Sequence, residues 1–163
     1  MRRLLPLLIL LFLLPASASA KDLRKRFGVG FNNNFSSLTS LSGKVGLPMP
    51  KETISLQVQV MVGFALLKDQ DDRFFAGGRV IIPLIAEDNL NLYVPLGGGY
   101  VRFHDQAQGA RIGAGIGAEF FFFGLENLGF SAELGLNLDV VGGGIDLGTT
   151  SGTIAAVGAH YYF

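Results

Sequence analysis

Residues 54–66, ISLQVQVMVGFAL, decide the fold class. Ile54, Leu56, Val58, Val60, Val62, Phe64 and Leu66 fall on one parity, and Ser55, Gln57, Gln59, Met61, Gly63 and Ala65 on the other. Side chains alternate across a strand with period two, whereas a helix of 3.6 residues per turn would interleave the two sets. The stretch reads as a β-strand with one aliphatic face and one face carrying two glutamines.

The same period recurs in RFGVGFN (26–32), LSGKVGLPM (41–49), RFFAGGRVIIPL (73–84), LNLYVPLGGGY (90–100), RIGAGIGAEFFF (111–122), FSAELGLNLDV (130–140) and AVGAHYYF (156–163). With residues 54–66 these make eight strands. PKET, AEDN and GLEN alternate as connections with NNNFSSLT, KDQDD, HDQAQG and GGGIDLGTTSG, the second group being longer on average and more polar. Short turns on one rim and longer loops on the other are the arrangement of an up-and-down membrane barrel. An even strand count returns both ends of the chain to the short-turn side.

Composition says which face meets which solvent. Charged residues are 16% of the chain, against about 25% in soluble domains. Mean hydropathy is +0.42, yet after residue 20 there is no unbroken apolar run of the ~18 residues that a spanning helix needs. A ligand-binding barrel of the lipocalin kind would turn its apolar face inward and need a soluble surface, roughly 25–35% charged. Here the polar parity is mostly Gly, Ser, Ala, Asn and Gln, while the apolar parity is bulky and nearly uncharged. Lipid outside is the consistent assignment. In hydrocarbon every backbone N–H and C=O must be satisfied internally, so the strands must close. The expected fold is therefore all-β: a closed, antiparallel, up-and-down transmembrane β-barrel of eight strands. Phe27, Phe74, Phe75, Phe120 to Phe123, Phe130, Tyr161 and Phe163 gather near strand ends and are expected to form interfacial girdles.

The first twenty residues have the layout of a secretory signal peptide: Arg2 and Arg3, the apolar run from Leu4 to Leu14, and then PASASA before a cut after Ala20. The domain division is thus 1–20, signal peptide, and 21–163, barrel. Taking Arg2 and Arg3 from the 13 basic residues leaves eleven against 13 acidic ones, a balance that gives no case for nucleic acid. With no Cys and only two His, a transition-metal site has little to build from, and no cofactor is expected.

Signal peptide, eight alternating segments, alternating connection lengths and the final YYF together resemble the small eight-stranded outer-membrane β-barrels of Gram-negative bacteria. That resemblance implies an outer-membrane location, surrounding outer-membrane lipids, and recognition by the barrel-assembly machinery through a C-terminal aromatic. Tyr161 and Phe163, with Ala159 and Val157 before them, match the assembly signal. It also implies the chemistries to weigh against one another. The polar parity places Lys44, Gln57, Gln59, Arg79, Arg111, Glu119, Glu133, Asp139 and His160 in the lumen. A hairpin about GLEN sets Glu119 roughly opposite Glu133, with Arg79 or Lys44 as neutralising cations. The leading expectation is a filled, salt-bridged interior and a structural or anchoring role without enzymatic activity. The alternative is a narrow, porin-like path in which the two carboxylates share a proton. A lipid A-modifying enzyme would need His104, Asp105 and a serine such as Ser36, Ser37 or Ser151 to meet in the outer loops. A periplasmic or outer-membrane protein partner is a further expectation, with KDLRKR (21–26) as its contact on the inner side.

Overall fold

The structure, a computed structural model, describes residues 22–33, 38–48, 56–65, 73–103, 107–150 and 155–163. The signal segment lies outside these residues, as do Ser36, Ser37, His104, Asp105 and Ser151, on which the enzymatic reading depends. Nine strands follow in order: β1 (Phe27–Asn32), β2 (Ser40–Gly46), β3 (Gln57–Ala65), β4 (Arg73–Ala86), β5 (Leu90–Arg102), β6 (Gln108–Phe121), β7 (Leu128–Val141), β8 (Gly144–Thr149) and β9 (Ala156–Tyr162). Each pairs antiparallel with its neighbours, and β1 pairs with β9, so the sheet closes.

Nine strands make eight staves. Both β8 and β9 pair with β7: β8 along Leu136 to Val141, and β9 along Leu128 to Glu133. They share one stave, β8 beside the later part of β7 and β9 beside its earlier part. This corrects the expectation that GGGIDLGTTSG is an outer loop. Gly142 and Gly143 take φ of +58° and +83° and close a two-residue hairpin, a conformation side chains resist. The chain then re-enters the sheet, with Ile145 opposite Val140 and Leu147 opposite Leu138. The alternation in β8 is only six residues long, and its glycines disguise it.

The two faces sort as expected. Leu41, Val60, Phe64 and Ile116 are 60–69% exposed on the outside, whereas Lys44, Gln59, Glu119 and His160 inside are at most 1% exposed. Without lipid, an exterior this apolar would be untenable for a monomer in water. β4 to β7 run for 13 or 14 residues, more than the ~9–11 a tilted spanning strand requires. Pro83 sits next to a register shift between Pro83 and Ile85, where a bulge absorbs the missing donor.

Aromatic rings band the outer surface near the rim that carries the chain's C-terminus. Phe122 packs edge-on against Phe120 at 4.9 Å and Phe130 at 5.5 Å, and Tyr161 meets Phe163 at 5.1 Å. Phe75 and Phe121 do not belong to the girdles. Their neighbours Phe74 and Phe120 face outward, so strand alternation turns these two inward, where they are 0% and 2% exposed.

Candidate functional site: the barrel lumen

Inward residues arise from one parity on every stave. Following the pairing from β1 gives Gly28, Lys44, Gln59, Arg79, Gly97, Gly113 and Asn137 in one continuous row. Three large side chains, Lys44, Gln59 and Arg79, fill the narrow bore from one side, and the glycines Gly97 and Gly113 follow on the next two staves. Gly117 shows the constraint: a Cβ there would lie 2.5 Å from the Tyr93 ring and 2.7 Å from Glu133 Cγ.

The central charges form two sets. Lys44 Nζ donates to Glu119 Oε1 at 2.9 Å, and the Tyr162 hydroxyl reaches both carboxylate oxygens at 2.8 and 2.9 Å. Arg79 grips Glu133 with two parallel bonds of 2.6 and 2.7 Å, and the Tyr93 hydroxyl adds a third donor at 2.6 Å. Bidentate guanidinium–carboxylate bonds are the strong form of this interaction. Each carboxylate therefore has its own cation and its own phenol. Glu119 and Glu133 do not face each other: Glu119 pairs with Ser131 and Glu133 with Gly117. The connection takes in Phe122 and Phe123 as well as GLEN, and this moves the register by two residues.

A neutral chain continues from Arg79. Its Nε donates to Gln59 Oε1 at 2.6 Å, which orients the amide. Gln59 Nε2 then donates to Ser42 Oγ at 2.5 Å and lies 3.3 Å from His160 Nε2. The Gln59 amide nitrogen can only donate, so His160 Nε2 is an acceptor and takes the Ser42 hydroxyl proton as well, at 2.9 Å. This order places the imidazole proton on Nδ1. Ser42 and His160 thus have the spacing of a nucleophile and its base. Among the described residues no carboxylate orients Nδ1, and both side chains are at most 2% exposed, so here they are links in the network.

Arg111 and Asp139 pair through bonds of 2.6 and 2.7 Å towards the rim of the longer loops, where Asp139 is only partly buried. The Arg111 guanidinium also stands 5.7 Å from the centre of the Phe103 ring. Gln57 is buried beside the row and its Oε1 has no partner among the described residues.

Apolar layers shut the polar middle on both sides. Towards the loop rim, Met61, Phe75 and Val101 cluster, with Leu38, Phe103 and Val141 packed on them. Towards the terminal rim, Leu23, Phe121 and Tyr162 form the floor. Leu23 belongs to KDLRKR, and residues 22–26 of that segment are a strap across the barrel end. Lys25 N donates to Gly46 O at 2.9 Å and Gly46 N to Arg26 O at 3.0 Å. Arg26 reaches Asn127 Oδ1 at 2.6 Å and the Tyr162 carbonyl at 3.3 Å, and Arg24 pairs with Asp22 at 2.7 Å. Only a glycine fits beneath the strap, since a Cβ on Gly46 would lie 1.8 Å from Leu23 O. Sequence reasoning missed Tyr93, Tyr162, Ser42 and Leu23 as interior residues. Parity was the available signal for the first three, and nothing local marks Leu23.

No protein-family profile matches the chain. Nor does any curated protein match it in sequence. Its fold does match solved structures. The N-terminal β-barrel domain of Pseudomonas aeruginosa OprF superposes with a TM-score of 0.54 at 14% identity, covering 86% of this chain and 98% of that one. The Yersinia pestis outer membrane protein Ail does so with a TM-score of 0.51 at 11% identity, covering 85% and 97%. The chain has the fold of the small, closed, eight-stranded outer-membrane barrels.

Proposed function

We propose that this chain is a bacterial outer-membrane barrel protein that serves a structural or anchoring role, its lumen acting as a bolt rather than a conduit. The observation that carries this reading is the buried, paired core: Lys44–Glu119 and Arg79–Glu133, four side chains at most 1% exposed, lie between two apolar clusters. Residence in the outer membrane is supported by the apolar exterior and by the likeness to two solved outer-membrane barrels. By the rule of short periplasmic turns, the strap, the start of β1 and the end of β9 face the periplasm. Tyr161 and Phe163 lie outward at 47% and 71% exposure, accessible to the assembly machinery before the seam with β1 closes.

The porin-like alternative has less support, because a proton shared by Glu119 and Glu133 requires two carboxylates competing for one site. Here each is separately neutralised. KDLRKR also offers a partner less than its charge suggests, since Arg24 and Arg26 are engaged within the strap. Purified, folded protein in planar bilayers tests the reading. No current above the bare membrane is expected; a steady ohmic conductance would overturn it.

A further inference from the structure

Four buried polar atoms near the closing seam have no hydrogen-bond partner among the described residues: Asn32 Oδ1 and Nδ2, Ser131 Oγ and His160 Nδ1. Their side chains are at most 4% exposed. The register brings them together. Asn32 on β1 and Ser131 on β7 both pair with Gly158 on β9, from opposite sides, and His160 is the next inward residue of β9. A Cβ on Gly158 would stand 2.8 Å from Asn32 Cβ and 2.8 Å from Ser131 Oγ, so the two side chains lean over the glycine. The arrangement is a small cradle whose floor must lack a side chain.

The donor and acceptor set specifies the guest. Asn32 offers two donors and an acceptor, Ser131 one donor and an acceptor, and His160 an Nδ1–H donor, as the Ser42 bond to Nε2 requires. None of them is charged. The nearby cations Lys44 and Arg79 are held by carboxylates. Such a set does not suit a metal ion or an anion. It suits an uncharged hydroxylic molecule that donates and accepts at once, at a scale set by the glycine. Buried polar groups left over by protein–protein pairing are met by ordered water making about three hydrogen bonds.

We propose that Asn32, Ser131 and His160 form a binding site for ordered water over Gly158, at the junction of the first and last staves. The water accepts from His160 Nδ1–H and bridges Asn32 to Ser131. It thereby holds the imidazole in the tautomer that Ser42 and Gln59 need, and joins the β7–β9–β1 seam to the charge network on the opposite wall.

Nuclear magnetic resonance of the barrel in nanodiscs tests this directly. Substituting His104→Gln leaves His160 as the sole histidine. A resolved Nδ1–H resonance with a cross-peak to bound water is expected. Gly158→Ala fills the cradle, and Ser131→Ala, a gentler change, removes one ligand. The cross-peak should vanish in the first variant and weaken at least several-fold in the second, with unboiled gel mobility confirming that each barrel has folded. A missing water cross-peak in the parent protein would overturn the proposal. So would a cross-peak that persists unchanged in both folded variants, or in Ser131→Ala should Gly158→Ala not fold.

Discussion

Arg79→Met, Glu133→Gln and their combination measure how much the charge network holds the barrel together. Arg79 makes three hydrogen bonds, two to Glu133 and one to Gln59, and both charged side chains are 1% exposed. Removing the guanidinium leaves a buried carboxylate with Tyr93 as its remaining donor. Removing the carboxylate's charge strands a guanidinium, because the other central carboxylate, Glu119, already holds Lys44. Breaking one side of a buried ion pair costs about 3–5 kcal/mol. That corresponds to roughly 10²- to 10⁴-fold in the folding equilibrium. The double variant buries no unpaired charge and should recover much of the loss, giving a coupling energy of about 2–3 kcal/mol, at the upper end for contacting residues. The chain has no Trp, so unfolding in urea is best followed by circular dichroism and by the mobility of unboiled samples on gels. Single variants that lose less than about 1 kcal/mol, and simply add, would be behaving like exposed ion pairs. That result would refute the buried, paired charges of the lumen.

Gly46→Val should lift the strap, since even a Cβ meets Leu23 O at 1.8 Å. Trypsin is then expected to cut after Lys25 or Arg26 at least ten times faster, with the barrel core still folded; unchanged cleavage would show that the strap does not depend on this contact. Deleting Phe163 should sharply reduce the amount of barrel assembled into the outer membrane in cells. Protein refolded in vesicles should lose little, because Phe163 contributes one seam hydrogen bond, to Phe27 O, and an outward ring. Equal losses in both settings would assign Phe163 to stability rather than to assembly.

Most of the architecture was legible because lipid outside and a narrow bore inside impose a single rule on every stave. The parity of residues 54–66 separates Gln57 and Gln59 from their aliphatic neighbours, and the same rule assigns Lys44, Arg79, Glu119 and Glu133 to the interior. Grouping aromatics near strand ends into girdles overrides that rule at two positions where the rule holds: Phe75 and Phe121 obey parity and cap the lumen. Which cation meets which carboxylate was not legible. It depends on register across six staves, and the length of the 122–127 connection alone displaces Glu119 from Glu133 by two residues. Leu23 and the β8 strand were hidden for different reasons. A single leucine in a basic segment carries no periodicity, and β8 is a short strand that follows the turn glycines Gly142 and Gly143 and carries two more, Gly144 and Gly148.

The central claim is that the apolar parity faces lipid and the polar parity faces a closed interior. A chain without cysteine allows single spin labels to be placed on Val60, Ile112, Leu134 and Val157, all outward, the first, second and fourth 57–60% exposed and Leu134 47%. In lipid vesicles, labels at these four sites should collide more with dissolved oxygen than with a water-soluble nickel complex. If the nickel complex were favoured instead, the barrel would be turned to water and the account would fail.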